Sequence, residues 1–365
     1  MKLSCKTLLC ALLSLVLLLG LCACAAKPAE TPAPAATAQT PAANAQTPAA
    51  DDGSFEEMSI ILNFDQSETS NMGKGVAKFK ELVEEKTGGK VTVEAYYNGQ
   101  LFNQSQQFEA AIKGSCDVFL NAISNAASYL PELKVAFAPY LWEDFDHWNN
   151  FWTGEDGQTL LNRVADEVGV RYVAWFCNGQ RDVELNVDKK LISRDDMKSI
   201  KLRAVPEASY QLLVEALGAN PVPISLADAY LSIQTGVVDG LEIPVTDLFG
   251  QGLQEVVKSV TRTGHMIQTI GFVVSEKSYQ SWPANVQQVV VEAAQEASDY
   301  ITSLAVTSEE ESLKQLEELG AVIYTLSDSE YAALRQEVID WCLNNEEATA
   351  GWDMDLYQKM QAAAK

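Results

Sequence analysis

Arg203 lies inside the stretch SIKLRAVPEASY, residues 199–210. A guanidinium is a planar, permanently charged fork of N–H donors that meets a carboxylate in two parallel hydrogen bonds. An arginine placed at a ligand crevice can therefore capture an organic acid. The flanking residues put Arg203 at such a place. Ile200, Leu202 and Ala204 alternate with Lys201, Arg203 and Val205, the period-two pattern of a half-buried strand. Pro206 suits the first turn of a helix, and a helical pattern then runs to a capping Gly218. Arg203 is thus expected near the carboxyl end of a strand, just before a strand-to-helix turn, where open α/β sheets bind ligands. The competing role is a structural pair, of the kind a local acid such as Asp182 or Glu184 offers an arginine.

Few other groups offer catalytic chemistry. The chain has no G-x-S-x-G elbow, no H-E-x-x-H and no P-loop, and GQGLQE at 250–255 fails the dinucleotide fingerprint at its last glycine. With only His147 and His265, a histidine-based triad has little to draw on. The acidic group WEDFDHW, 142–148, reads as an amphipathic loop with a solvated face rather than a metal site or carboxylate pair. Beyond the first residues only Cys116, Cys177 and Cys342 remain, which form neither a disulfide framework nor a zinc knuckle and read as buried thiols. No metal and no cofactor is expected.

The formal net charge of -24 and the absence of basic stripes exclude nucleic acid as a partner. An anionic ligand would be opposed by the long-range field, so a few local cations must attract it. At 365 residues, 47% of them hydrophobic, the chain can form two lobes with substantial cores.

The elements that must position Arg203 alternate strand with helix. MSIILNF (58–64) reads as a strand, 71–86 as a helix with Val76, Phe79, Leu82 and Val83 on one face, and KVTVEAYY (90–97) as a strand. A helix over 104–113, the buried strand CDVFL, a helix over 158–169 and the strand VRYVAWF follow. The middle section repeats the style with strand 200–205, helix 206–217, strand 222–224, helix 226–235 capped by Ser225 with Asp228, and strand 237–238. Such alternation implies parallel sheets covered by helices. One continuous helical pattern over 283–320 is far longer than an ordinary helix and is expected to span both lobes.

The amino terminus reads as a signal peptide, 1–23, with Lys2 and Lys6 before an apolar run. LCAC, 21–24, resembles the bacterial lipobox, with Cys24 lipidated as the mature first residue; an uncleaved membrane span is the competing reading. Residues 24–54 form an Ala/Pro/Thr-rich tether in which AQTPAA occurs twice. As a coil it averages about 30 Å end to end, and roughly 90 Å as extended polyproline.

GVVDGLEIP (236–244), preceded by LGANPVPISLADAYLSIQT (217–235) and LRAVPEASY (202–210), resembles the extracytoplasmic substrate-binding proteins of the TRAP transporter family. So do EEKTGGKVTVEAYYNGQL (84–101), FAPYLWED (137–144) and NGQRDVELN (178–186), in the family's order. The resemblance implies an α/β, two-lobe periplasmic-binding-protein-like fold with hinge-crossing strands and a long helix along both lobes. It divides the body into a first lobe, 55–178 plus about 266–325 with the spanning helix, a second lobe, 179–265, and C-terminal helices, 326–365. It also implies capture of a small organic acid by a monomeric receptor and delivery to a sodium-driven permease.

The family's binding arginine falls on Arg203, a second arginine on Arg181, and pocket walls near Asp65, Gln104, Asn121, Asn125, Trp175, Leu226 and Ile243. Ile243 stands where the sialic-acid branch carries an asparagine that helps hold the carboxylate, and Leu226 where that branch has an aromatic. Isoleucine cannot donate a hydrogen bond, so the expected ligand is a compact monocarboxylate rather than a nine-carbon sugar acid. Two rivals stand beside this reading: a surface-anchored hydrolase with Asp144 and Asp146 as acid and base, and a ligand-sensing subunit of a signalling receptor.

Overall fold

The computed structural model describes residues 54–364; the signal peptide, Cys24 and nearly all of the tether lie outside the described residues. In the first lobe, strands β1 (Met58–Asn63), β2 (Val91–Tyr96) and β3 (Val118–Asn121) run parallel with β1 central. Helix α1 (Asn71–Lys86) starts where the Ser70 hydroxyl accepts from the Gly73 amide at 3.0 Å, and buries Val76, Phe79, Leu82 and Val83 against the sheet. The opposite face carries an aromatic-rich core under α2 (Gln107–Lys113), α3 (Phe145–Thr153) and α4 (Glu155–Arg163).

Two local expectations change here. Helix α2 begins at Gln107 rather than 104, because the Asn103 side chain accepts from the Ser105 and Gln106 amides and holds that stretch as a turn. The segment 142–148 is not a loop: Asp144 accepts from the His147 amide at 2.8 Å and starts α3, turning Trp148 and Trp152 into the core.

Two long strands join the lobes. β4 (Val170–Leu185) and β8 (Ser259–Ser275) run antiparallel along each other, with register shifts that include one between Cys177 and Gln180. At one end β8 pairs with β3; at the other β4 pairs with β7 (Gly240–Pro244). The second lobe continues from β7 to β5 (Lys201–Ala204) and β6 (Asn220–Pro223), parallel to one another.

Helices α5 (Ala208–Leu217), α6 (Leu226–Gln234) and α7 (Val245–Gly250) connect these strands. Gly218 ends α5 at φ 99°, where a Cβ would also strike the Arg194 carbonyl at 2.4 Å. The strand expected at 237–238 forms instead at β7, and Gly240 opens it. A Cβ there would lie 2.0 Å from the Glu184 carbonyl, so only glycine lets β7 close on β4. Ser225 begins α6, but its hydroxyl donates to Asp228 rather than capping an amide.

After α8 (Glu276–Ser281), helix α9 (Ala284–Glu318) packs on the first lobe through Val286, Val290 and Ile301 and on the second through Leu316. β9 (Val322–Thr325) then joins β8 in parallel. Helix α10 (Asp328–Leu343) covers the second lobe, and α11 (Met354–Ala362) returns to the first. Among the described residues no helix is long and apolar enough to cross a membrane.

Candidate functional site

Arg203 is the third residue of β5, a strand with sheet neighbours on both sides, and it is 1% exposed. Its Nε donates to the Ile224 carbonyl at 2.7 Å and its Nη2 to Gln104 Oε1 at 3.3 Å. Among the described residues no carboxylate forms an ion pair with it. Burial, and then the neighbouring charge of Arg181, pull its pKa down to about 10. This is a buried cation without an ion-pair partner among the described residues, its charge only partly offset by Glu242 and Asp65.

Gln104, which accepts from Arg203, lines a cavity of about 50 Å³ with Asp65, Asn121, Glu207, Tyr210 and Gln268, among others; Arg203 itself stands one residue behind that lining. Glu207, directly before α5, reaches across to the first lobe. Its Oε2 accepts from the Ser124 hydroxyl at 2.5 Å and its Oε1 from Asn125 Nδ2 at 2.8 Å; the same amide donates to Asn121 at 2.7 Å. Burial raises the Glu207 pKa against the pull of those donors, and burial pushes Asp65 up to about 6. The structure thus brings together Arg203, Gln104, Asp65, Asn121 and Asn125.

Arg181, on β4, has a different setting. Its Nε and Nη2 meet Glu242 in a two-point ion pair at 2.5 and 2.7 Å, and it also donates to Gln268 and to the Glu242 carbonyl. The guanidinium sits 4.9 Å over the Tyr210 ring. Burial works against ionisation of Glu242, but Arg181 and the His265 contact at 3.3 Å outweigh it and hold the carboxyl below its usual range. The neighbouring acids are engaged elsewhere: Asp182 pairs with Arg262, and Glu184 accepts from the Ile243 amide.

Three expected wall residues are not brought to the cavity. Trp175 stacks on Tyr172 at 4.6 Å within the aromatic core of the first lobe. Leu226 and Ile243 lie in an apolar cluster of the second lobe with Ala229 and Val245. Of the hydrolase pair, Asp144 is spent as the α3 cap and Asp146 stands in that helix's first turn. Among the described residues no His/Cys/Asp/Glu group could hold a metal.

Residues 63–345 match the family of bacterial extracellular solute-binding proteins, family 7. The chain belongs to that family. It is 29% identical over 268 residues to the C4-dicarboxylate-binding periplasmic protein DctP of Rhodobacter capsulatus, covering 73% of this chain and 80% of that one. With a solute-binding protein of a Sulfitobacter species it shares 31% over 258 residues, 70% and 77% of the two chains. A TRAP periplasmic solute-binding protein of Roseobacter denitrificans, solved with bound 3-deoxy-D-manno-oct-2-ulosonic acid, superposes with a TM-score of 0.79 at 25% identity, over 85% of this chain and 100% of that one. A TRAP protein of Sulfurospirillum deleyianum, solved with succinate, gives 0.76 at 26% identity over the same shares.

Within this solute-binding protein, Glu207, Tyr210 and Gln268 are the site residues that sequence reasoning passed over. Glu207 and Tyr210 stand in the very stretch that frames Arg203, at the start of the helix after Pro206, so the strand-end argument applied to them equally. Gln268 lies in the middle of β8, a strand the residue pattern did not reveal.

Proposed function

We propose that this solute-binding protein captures a compact organic carboxylate between its lobes and delivers it to a sodium-driven TRAP-type permease. The observation that carries the reading is Arg203, buried beside a polar cavity with no ion-pair partner of its own. A ligand carboxylate is the partner that chemistry calls for. Arg181, its main edge held by Glu242, adds positive field and holds Tyr210 in place. The small cavity favours a short acid over a nine-carbon one. The lobes, 55–178 with about 266–325 and 179–265, close about β4 and β8 by a hinge motion. The body is a monomer tethered through a lipidated Cys24.

Arg203→Ala is expected to cost roughly 2–5 kcal/mol of ligand binding. Arg203→Lys binds poorly as well, since an ammonium cannot reproduce the fork. Near wild-type affinity of the lysine variant in calorimetry would remove the two-point contact. Cys24→Ser should release the protein from membranes with its fold intact, because stable anchoring needs more than one lipid chain or signal. Retention in the membrane fraction would mean an uncleaved span instead.

A further inference from the structure

We infer that Glu207 is the residue that draws the lobes together before any ligand arrives, through a carboxylate that takes donors from the opposite lobe. The inference rests on the reading of capture between the lobes and adds a positioning residue to it.

Among the described residues, three side-chain hydrogen bonds run from residues 54–130 of the first lobe to the second. One is the long contact of Arg203 with Gln104 at 3.3 Å. The other two end on Glu207, from the Ser124 hydroxyl at 2.5 Å and from Asn125 Nδ2 at 2.8 Å, one on each carboxylate oxygen. Hydrogen bonds to an ionised acceptor are roughly twice as strong as neutral ones. The shorter and stronger part of the cleft's closure therefore rests on one side chain.

Both sides of the cleft are arranged for that contact. Glu207 occupies the N-cap position of α5, yet its carboxylate bonds no amide of that helix. It gives up the local role that an acid can play at a helix start and reaches to the other lobe instead. Pro206 and the bond from the Glu207 amide to the Val205 carbonyl at 2.7 Å hold the bend by which it leaves β5. On the facing side, Ser124 and Asn125 stand in a short helical turn, Ile123–Ser128. The Tyr172 hydroxyl donates to the Ala122 carbonyl at 2.9 Å, just before this turn, and Asn125 also donates to Asn121 at 2.7 Å. Those bonds lie within the first lobe, so the donors keep their positions when the cleft opens. Burial raises the Glu207 pKa, while the two donors and then the charges of Arg203 and Arg181 favour the ionised form that accepts from both. A ligand carboxylate competes with Gln104 for Arg203, but not with Ser124 and Asn125 for Glu207. The Glu207 bonds are thus the part of closure independent of ligand, and they set the share of free protein already closed.

The test is hydrogen exchange followed by mass spectrometry on the full mature chain without added ligand. Residues 64–72 line the cleft, 222–226 flank it beside Arg203, and neither segment bonds Glu207. In Glu207→Ala both segments are expected to exchange about tenfold faster, with α10 unchanged. Glu207→Gln, whose one oxygen is its only acceptor, should fall between. The paired Ser124→Ala and Asn125→Ala variant, altered in the other lobe, should reproduce the alanine result. Combined with Glu207→Ala it should add nothing further, because the same bonds are already lost. The paired variant also decides the matter if Glu207→Ala does not fold. Faster exchange confined to 121–128 and 206–213 would mean a local contact and overturn the inference. Unchanged exchange throughout, or additive effects in the combined variant, would overturn it too. If Arg203→Ala keeps full affinity for an acid, the carboxylate reading falls while this result stands.

Discussion

Two arginines about twenty residues apart in sequence are both buried almost completely, yet they live in opposite circumstances. Arg181, on a strand that crosses between the lobes, has its fork filled by Glu242, Gln268 and a carbonyl, with a Tyr210 ring against its face. Arg203, at a strand end, has one carbonyl, one amide oxygen and no ion pair. A buried charge with its partner built in is compensated within the fold; a buried charge without one is the candidate for the ligand contact proposed above. Burial alone does not distinguish the two. A direct ion pair does.

The comparison breaks most visibly if the filled fork is emptied. Glu242→Ala leaves Arg181 charged and alone in the sheet, and should cost about 3–5 kcal/mol of stability in urea unfolding. A cost below about 1 kcal/mol would mean that Arg181 is not fixed by Glu242. A smaller effect comes from an acid near the same arginine. Asp247 accepts from Asn178 Nδ2 at 2.9 Å on both oxygens, and burial pushes its pKa from 3.8 to about 6. The folded chain therefore holds this proton more tightly than the unfolded chain. That advantage is full below about pH 4 and is lost as pH rises through 6. Asp247→Asn should accordingly be about 1–3 kcal/mol more stable than wild type at pH 8, with the gain vanishing near pH 4. A gain independent of pH would assign it to packing.

The smallest effect is the one that sharpens the contrast. Arg203→Met, in the ligand-free protein, should change stability by less than about 1 kcal/mol. Losing the bond to Ile224 is offset by removing a desolvated charge. A large loss would place Arg203 beside Arg181 as a structural residue.

Much of this arrangement was legible because it is local. The alternation through Leu202 and Ala204, Pro206 and the left-handed Gly218 fix β5 and α5 within a twenty-residue window. The apolar faces of 71–86 and 283–320 likewise gave α1 and α9. What stayed hidden depends on distant partners. β8 mixes His265, Gln268 and Thr269 with apolar residues because it is buried on both faces between β3, β4 and β9, so no alternation marks it. Gly240 looks like a turn until Glu184 is brought against it. Glu207 is an ordinary helix-start acid in sequence; its donors, Ser124 and Asn125, are more than eighty residues away. The setting of Arg203 was readable from its strand, but the distant partners of Glu207 were not.

The return of α11 to the first lobe bears on how the chain is made. Leu356, Tyr357 and Met360 complete the aromatic core beneath Trp148, and His147 contacts the Met360 carbonyl at 2.7 Å. That contact spans 213 residues. As the polypeptide emerges, more than half of it can be outside while the lobe that emerged first still lacks part of its interior. A contact of that span is costly to close, so the core of the first lobe is completed late in folding.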